Sequence, residues 1–140
     1  MRVMAIDYGD ARTGIAVSDL TNTLAGDAFV IPGYRPEPVA EAIAREAKVR
    51  NVGTLVLGYP RNMDGTLGPR AEKCREFASL LEAVSKLPVV LWDERRTTVD
   101  AHRILSANGK RTVHHRKNVD AVAACLILEG YLAGLSSPGR

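Results

Sequence analysis

The sequence predicts an α/β protein whose core is a mixed five-stranded sheet flanked by helices. Three short apolar runs open the chain, and two alternations of an apolar run with a helical pattern follow them. That order is typical of a sheet that begins as an antiparallel meander and continues with parallel strands. The 140 residues, 46% of them hydrophobic, suffice for one sizeable core, so we expect one domain over residues 1–140.

The first three strands are predicted from short apolar runs separated by turn residues. Residues 2–7 and 13–19 are joined by a turn rich in Gly, Asp and Arg, which indicates a hairpin. Residues 24–31 form the next run and end before Pro32-Gly33. Because such short connections join antiparallel strands, we expect these three to form a meander.

The middle of the chain alternates between helical and strand patterns. From Pro36 onward, apolar residues recur at helical spacing, and a second helix of this kind begins near Pro69. The short apolar runs 54–58 and 88–92 are predicted to be buried strands, the first ending at Gly58.

Two more helices are predicted in the last third of the chain. Thr97 or Thr98 can cap a helix that continues to about Asn108. Residues 119–134 form the last helix, which is apolar nearly all round over 121–128. Such a helix packs against more than one surface.

Composition indicates a cytoplasmic protein without a membrane partner. The longest apolar run, 121–128, is too short to span a bilayer, and Asp7 interrupts any signal-peptide pattern at the N-terminus. Cys74 and Cys125 lie far apart, each within an apolar helical pattern. Buried free thiols in a reducing compartment are typical of this arrangement.

One segment carries the whole basic excess of the chain. The formal net charge is +3, and residues 108–118 contribute +4, which leaves −1 for the rest. The segment contains no acid, and its cations are Lys110, Arg111, Arg116 and Lys117. A local patch of this kind can meet a polyanion, although a solvated surface loop has the same composition.

Acidic residues stand where predicted elements end or begin. Asp7 closes the first strand, Asp93 and Glu94 close the last, and Asp120 opens the final helix. Neighbouring strand residues point to opposite faces, so only one of Asp93 and Glu94 can share a face with Asp7. The pattern alone does not choose between them. For Asp120, stabilisation by the helix dipole is the alternative to a role in a site.

Three carboxylates brought together repel one another unless a cation lies between them. Mg²⁺ is suited to that place because it takes oxygen ligands and is held by one or two carboxylates plus substrate phosphates. Two such ions can activate a water and stabilise the leaving oxygen of a phosphodiester. Zinc is less suited, because the cysteines are solitary and the histidines lack ligand spacing.

The loop 58–66 is a candidate for phosphate contact. It carries Arg61 and Asn62 on a turn rich in glycine, where the backbone can approach a ligand closely. An ordinary connection between a strand and a helix is the alternative interpretation.

With these features assembled, the chain resembles the YqgF (RuvX) family. These are small bacterial RNase H-like proteins to which both Holliday junction resolution and pre-16S rRNA processing are attributed. The resemblance rests on four blocks that occur in the order of the family, at residues 6–19, 55–66, 92–98 and 117–132. Together they cover most of the chain.

The resemblance implies an RNase H-like fold and a metal-dependent nuclease site. Its three acids fall on Asp7, Glu94 and Asp120, which selects Glu94 over Asp93. These carboxylates are expected to hold two Mg²⁺ or Mn²⁺ ions. Asp19 is interpreted as a residue of a strand-end turn. The residues expected to position the nucleic acid are Arg12, Arg61, Asn62, Arg95, Lys110, Arg111, Arg116 and Lys117.

The expected activity is hydrolysis of phosphodiester bonds, with the 5′ end of pre-16S rRNA as the preferred substrate. Resolution of branched DNA is an alternative; a symmetric resolvase needs a homodimer, whereas an RNA nuclease can be a monomer. A non-catalytic RNA-binding module of the same fold is another. A sugar-kinase or actin-like ATPase also opens with an Asp-x-Gly hairpin, but 140 residues supply only one of its two lobes.

Overall fold

The computed structural model describes residues 1–9, 11–19, 25–59, 69–93 and 121–135. Within these ranges the chain forms five strands and three helices, in the predicted order. The strands are β1 (Arg2–Asp7), β2 (Arg12–Ser18), β3 (Ala25–Pro32), β4 (Val52–Tyr59) and β5 (Val89–Asp93), and the helices are α1 (Pro36–Val49), α2 (Pro69–Ser85) and α3 (Val122–Leu135). The helix predicted over 97–108 lies outside the described residues.

The strands form one mixed sheet in the order β3-β2-β1-β4-β5. The β1–β2 and β2–β3 pairs are antiparallel, whereas β1–β4 and β4–β5 are parallel. The two parallel crossovers, through α1 and α2, advance across the sheet in the same direction. Because such crossovers are almost always right-handed, both helices must cover the same face. The prediction of a meander followed by parallel strands is confirmed.

The face covered by α1 and α2 carries the larger of the two cores. Its strand residues follow the alternation of the sheet, and all of them are buried. They meet the apolar stripe of each helix. The cluster includes Met4, Ile6, Ile15, Val17, Leu55, Leu57, Tyr59, Val39, Ile43, Cys74, Phe77 and Leu81. We call this side the α1/α2 face.

The opposite side of the sheet, which we call the α3 face, is covered by α3 alone among the described helices. The strand residues on this side are smaller, so the helix lies close to the sheet. The cluster includes Val3, Ala5, Ala16, Ala28, Val56, Trp92, Ala121, Ala124, Cys125, Ile127, Leu128 and Leu132. The residues of α3 are apolar on nearly every side of the helix, as the sequence predicts, and one of these sides packs against the sheet.

Several strand ends differ from the prediction by one residue, and that of β4 bears on the site. Strand β4 was expected to end at Gly58, but it continues to Tyr59. Gly58 pairs with Trp92 of β5, and Tyr59 pairs with Asp93. Because the backbone of a glycine pairs as well as any other, Gly58 does not end the strand. It only leaves one position of the strand without a side chain.

A polar cluster joins the end of α1 to the edge strand β3. Arg50 is bonded to Asp27 of β3, its Nε lies 3.0 Å from Glu46 Oε1, and its guanidinium lies 4.5 Å from the centroid of the Phe29 ring. Burial lowers the pKa of Arg50, but the hydrogen bonds to Glu46 and Asp27 outweigh it, so the pKa is raised above its ordinary value. Arg50 therefore stays charged throughout the pH range in which proteins fold.

Candidate active site

Asp7 is the last residue of the central strand β1, and its side chain is half-buried. Ile6 belongs to the core of the α1/α2 face and Ala5 to the core of the α3 face. Alternation along the strand therefore directs the Asp7 side chain to the α3 face, at the edge where the parallel strands end. Loops at this edge of α/β sheets commonly assemble binding sites.

The two strands beside Asp7 carry glycine at the neighbouring positions. Asp7 pairs with Gly14 of β2. On the other side, Ile6 pairs with Leu57 of β4, so the following residue, Gly58, lies beside Asp7. On both neighbouring strands, the position beside Asp7 therefore carries no side chain, and both glycines are buried. A carboxylate at the end of a strand suits Mg²⁺ or Mn²⁺, because such ions take oxygen ligands, keep several waters and also take substrate oxygens.

Arg12 lies at the same edge and on the same face as Asp7. It is the first residue of β2, two positions from Gly14, and its side chain is exposed. Even-numbered residues of β2, such as Ala16, face α3. Alternation therefore places Arg12 on the α3 face, about 7 Å along the strand from the glycine that pairs with Asp7. The predicted contact residue is thus brought close to the predicted metal ligand.

The structure shows on which face of the sheet Asp93 lies. Asp93 pairs with Tyr59, whose side chain belongs to the core of the α1/α2 face. Residues paired in register point to the same face, so Asp93 points away from the side that Asp7 occupies. Asp93 is therefore not part of the group that contains Asp7. Glu94 lies outside the described residues.

Asp19, the remaining acid of the opening hairpin, lies at the opposite edge of the sheet. Ser18 accepts a hydrogen bond through its Oγ from the Val3 amide at 2.9 Å, which places the end of β2 beside the start of β1. A Cβ atom on Gly26 would lie 2.9 Å from the Asp19 Cα. Asp19 thus lies close to β3, at the end of the sheet opposite to that of Asp7.

The β1–β2 turn is held in place by close backbone packing. A Cβ atom on Gly9 would lie 2.3 Å from the carbonyl oxygen of Arg12, so only glycine fits there. The Gly33 amide donates a hydrogen bond to the Ala11 carbonyl at 3.0 Å and ties the β3–α1 connection to this turn. Gly9 belongs to the turn predicted between the first two strands, but its contact with Arg12 emerges only from the fold.

Most of the other predicted site residues cannot be placed. Outside the described residues lie Glu94, Asp120, Arg61, Asn62, Arg95, Lys110, Arg111, Arg116 and Lys117. Ala121, which follows Asp120, is fully buried in the core of the α3 face, the side that Asp7 also occupies. Among the residues that the structure describes, no three His, Cys, Asp or Glu side chains form a potential metal cluster.

Gly14 and Gly58 were not predicted to be neighbours of Asp7. Both follow from the pairing of the strands. A hairpin register for residues 2–19 would have found Gly14, because its turn is short. The position of Gly58 depends on the long-range pairing of β1 with β4, for which no local pattern exists.

In the described part of the chain, no helix is long and apolar enough to cross a membrane.

Comparison with known proteins gives matches over nearly the whole length of the chain. The family model described as "RuvX: Holliday junction resolvase" matches residues 1–134. A protein of Halothermothrix orenii is 42% identical over 132 residues, 94% of each chain. A protein of Pelotomaculum thermopropionicum is 40% identical over 142 residues, covering all of this chain and 92% of its own. Both relatives bear the provisional name of pre-16S rRNA nuclease.

Solved structures with a similar fold include two Holliday junction resolvases. RuvC of T. thermophilus, in complex with a Holliday junction substrate, has a TM-score of 0.60 at 13% identity, covering 98% of each chain. The fowlpox virus resolvase with its junction DNA has a TM-score of 0.59 at 14% identity, covering 98% of this chain and 100% of its own. At these identities the likeness concerns the fold, and it confirms the expected RNase H-like architecture.

Proposed function

Since the chain belongs to the RuvX family, we propose that it is a metal-dependent endonuclease that hydrolyses phosphodiester bonds of nucleic acid. The observation that supports this most directly is the position of Asp7. Its carboxylate ends the central strand between two glycines, with Arg12 exposed on the same face. A carboxylate with no side chain beside it on either neighbouring strand, and with a cation on the same face, suits a metal ion and a phosphate together.

The proposed metal ligands are Asp7, Glu94 and Asp120. The position of Asp93 supports Glu94, because Asp93 belongs to the α1/α2 face. The burial of Ala121 on the α3 face supports Asp120, its neighbour in sequence. When bound, two Mg²⁺ or Mn²⁺ ions would supply an activated water and stabilise the leaving oxygen.

The proposed role of the cations is to position the substrate backbone. Arg12 is the one of them that the structure describes, and its guanidinium can form two parallel hydrogen bonds to a phosphate. Such contacts set the register of the strand relative to the carboxylates and carry no sequence information. The same role is proposed for Arg61, Asn62, Arg95, Lys110, Arg111, Arg116 and Lys117.

Among substrates, we favour the 5′ end of pre-16S rRNA, because the relatives with about 40% identity bear that name over nearly their full length. Branched DNA is the second candidate, because the description of the matching family names the Holliday junction. The two candidate substrates require different oligomeric states of the protein. Symmetric cleavage of a junction requires a homodimer, whereas cleavage of an RNA end can be performed by a monomer. The proposed compartment is the cytoplasm, where buried Cys74 and Cys125 would stay reduced.

The test is a cleavage assay with Mg²⁺ or Mn²⁺ in which a pre-16S rRNA 5′ segment and a four-way junction are offered side by side. We expect the protein to cut the RNA and the Asp7→Asn variant to lose more than about 100-fold in rate. Loss of an outer-shell partner of a metal already costs 10- to 100-fold, and Asp7 is a proposed direct ligand. The thermal unfolding midpoint of the variant should stay close to that of the parent.

The matched control is Asp19→Asn, which removes a carboxylate of the same hairpin at the opposite edge of the sheet. Its cleavage rate should equal that of the parent protein. Retained cleavage by pure Asp7→Asn protein would refute the proposed site. Cleavage of the junction alone, by a dimer, would move the substrate to branched DNA.

A further inference from the structure

A cavity of about 570 Å³ opens at the same edge of the sheet as Asp7, on the α1/α2 face. Its walls come from the end of β1, from the β3–α1 connection and from α2. The side chains that matter for its chemistry are Tyr8, Tyr34, Lys73, Glu76 and Phe77. We call it the Tyr34 cavity. Its volume lies in the range of small-molecule binding sites, about 300–1,000 Å³.

The Tyr34 cavity is continuous with the candidate active site through the backbone. Tyr8 follows Asp7 directly, and consecutive Cα atoms are about 3.8 Å apart. Tyr34 follows Gly33, whose amide is bonded to the Ala11 carbonyl in the β1–β2 turn. Only the β1–β2 turn therefore separates the cavity from the Asp7 carboxylate. A bound strand that passes Asp7 at this end of the sheet can reach both the α3 face and the α1/α2 face.

The walls of the cavity are aromatic. The rings of Tyr8 and Phe77 are stacked with their centroids 3.9 Å apart and their planes within 5°. Tyr34 is 76% exposed, an unusual state for a large apolar surface. Its hydroxyl has no hydrogen-bond partner among the described residues. Tyr34 thus presents a flat ring face that nothing in the described chain covers.

The mouth of the cavity carries one cation and one carboxylate. Lys73 and Glu76 are three residues apart on α2 and therefore project from the same side of the helix. Both are exposed, and neither forms an ion pair with another described residue. An ammonium group attracts a phosphate, whereas a carboxylate accepts hydrogen bonds from amino or hydroxyl groups. A ligand that pairs with Lys73, Glu76 and the aromatic walls carries a phosphate and a hydrogen-bond donor beside a planar ring.

We propose that the Tyr34 cavity binds an unpaired nucleobase of the substrate strand, stacked on Tyr34, while Lys73 contacts the adjoining phosphate. Stacking on exposed aromatic rings beside a basic group is how single-stranded nucleic acid is held without sequence preference. This inference rests on the proposed function, which supplies nucleic acid as the ligand. It adds a place where the strand must be unpaired, so the preferred substrate has a single-stranded segment next to the cleaved bond.

The experiment measures binding in EDTA, where no metal-dependent cleavage occurs. A fluorescently labelled RNA carrying a single-stranded 5′ segment is titrated with the protein and with Tyr34→Ala, Tyr34→Phe and Lys73→Ala. We expect Tyr34→Ala to bind roughly 5-fold more weakly or worse, because base–aromatic stacking is lost. Tyr34→Phe keeps the ring and should bind as the parent does. Lys48→Ala on α1, which removes an equal charge far from the cavity, is the control.

A second series replaces one nucleotide of the RNA at a time by an abasic residue. At one position the abasic RNA should bind the parent and Tyr34→Ala equally, because the base that stacks on the ring is missing. Equal affinity of Tyr34→Ala and parent for intact RNA would overturn the proposal. An equal loss of affinity at every abasic position would also overturn it, as would the absence of any RNA binding. Failure of the nuclease proposal is separate, because it shows as absent cleavage with Mg²⁺ or Mn²⁺.

Discussion

The two glycines beside Asp7 have a cost in stability. A glycine inside a strand is less favourable than alanine by about 0.5–1 kcal/mol, because it loses more backbone freedom and packs no side chain. Gly14 and Gly58 both lie inside strands of the sheet, and they are the residues on either side of Asp7. The chain therefore gives up packing at the place where a metal ion and its waters are proposed to bind.

A side chain added beside Asp7 should impair the proposed site. In Gly14→Val, two methyl groups would lie directly opposite Asp7, within about 5 Å between Cβ atoms. We expect cleavage to fall at least about 10-fold and the affinity for Mn²⁺ to fall with it, because water and metal lose their room. Gly14 is buried, so the added methyl groups should also lower the unfolding midpoint, although valine favours strands. Cleavage assays, calorimetric Mn²⁺ titration and thermal unfolding are the measurements.

Gly14→Ala serves as the graded control for that variant, with a smaller loss of cleavage than Gly14→Val. If both variants fold and cleave like the parent, the metal ion does not lie beside Gly14. A lowered midpoint with unchanged cleavage would mean that the glycine serves the packing of α3 instead.

At the scale of elements, the joint between α1 and β3 depends on one side chain. Arg50 follows α1, bonds Asp27 and Glu46, and lies over the ring of Phe29. Both carboxylates are more than a third exposed, so each ion pair is worth at most about 1 kcal/mol. The contact with the ring adds about 0.5–1 kcal/mol at an exposed site.

Removing this side chain should loosen the edge strand. We expect Arg50→Ala to lower the free energy of unfolding by about 1–2 kcal/mol, measured by urea denaturation. Arg50→Met keeps the apolar stem over Phe29 and should recover part of the loss. Arg45→Ala, exposed on the same helix, should change stability by less than about 0.5 kcal/mol.

The pH dependence of this joint follows from the raised pKa of Arg50. A cation whose pKa is raised by folding contributes stability below its unfolded pKa, and this is lost only as pH rises through the folded value. Both values lie far above neutrality, so the difference between parent and Arg50→Ala should not change from Arg50 titration between pH 6 and about 9. A difference that vanishes on going from pH 6 to 9 would contradict the assignment.

Helices and strands could be predicted because their signals are local. The apolar runs and the spacing of Val39, Ile43 and Ala47 depend only on neighbours in sequence, and the structure confirms the elements they indicate. Gly58 was misjudged as a strand end because glycine is a frequent terminator. Whether it ends a strand depends on its partner Trp92, which lies far along the chain.

The candidate site was predictable in part. Asp7 and Arg12 were both candidates from the sequence, but their common face follows only from the β1–β2 register, and alternation leaves Asp93 and Glu94 undecided until a strand partner is known. The pairing with Tyr59 decides the position of Asp93. The Tyr34 cavity could not be foreseen, because its walls come from three segments that no local pattern connects.

For the whole molecule, charge is concentrated rather than spread. Residues 108–118 carry +4, and the rest of the chain carries −1. A polyanion should therefore be held largely by this segment, and binding should weaken as salt rises. Each phosphate contact contributes about −0.7 to the slope of log K against log salt for a single strand, and about −0.9 for duplex DNA.

Removing pairs of these charges should flatten that slope. We expect Lys110→Ala with Arg111→Ala, and Arg116→Ala with Lys117→Ala, each to reduce its magnitude by about 0.7 to 2, depending on how many contacts are lost. The control removes Arg45 and Lys48, two exposed cations of α1. Fluorescence anisotropy at several salt concentrations gives the slopes. Equal slopes for the 110–117 variants and the parent would exclude the segment from the interface.

Helix α3 is the last described element of the chain, and it covers one whole side of a sheet built from the first 93 residues. During synthesis, the five strands and the first two helices can assemble before α3 is available. Val3, Ala5 and Ala16 then stay exposed to water on a nearly finished protein. A growing chain at this stage exposes an apolar surface on the side that Asp7 occupies. Chaperone binding should therefore peak before residues 121–135 leave the ribosome, and a product truncated before residue 121 should aggregate.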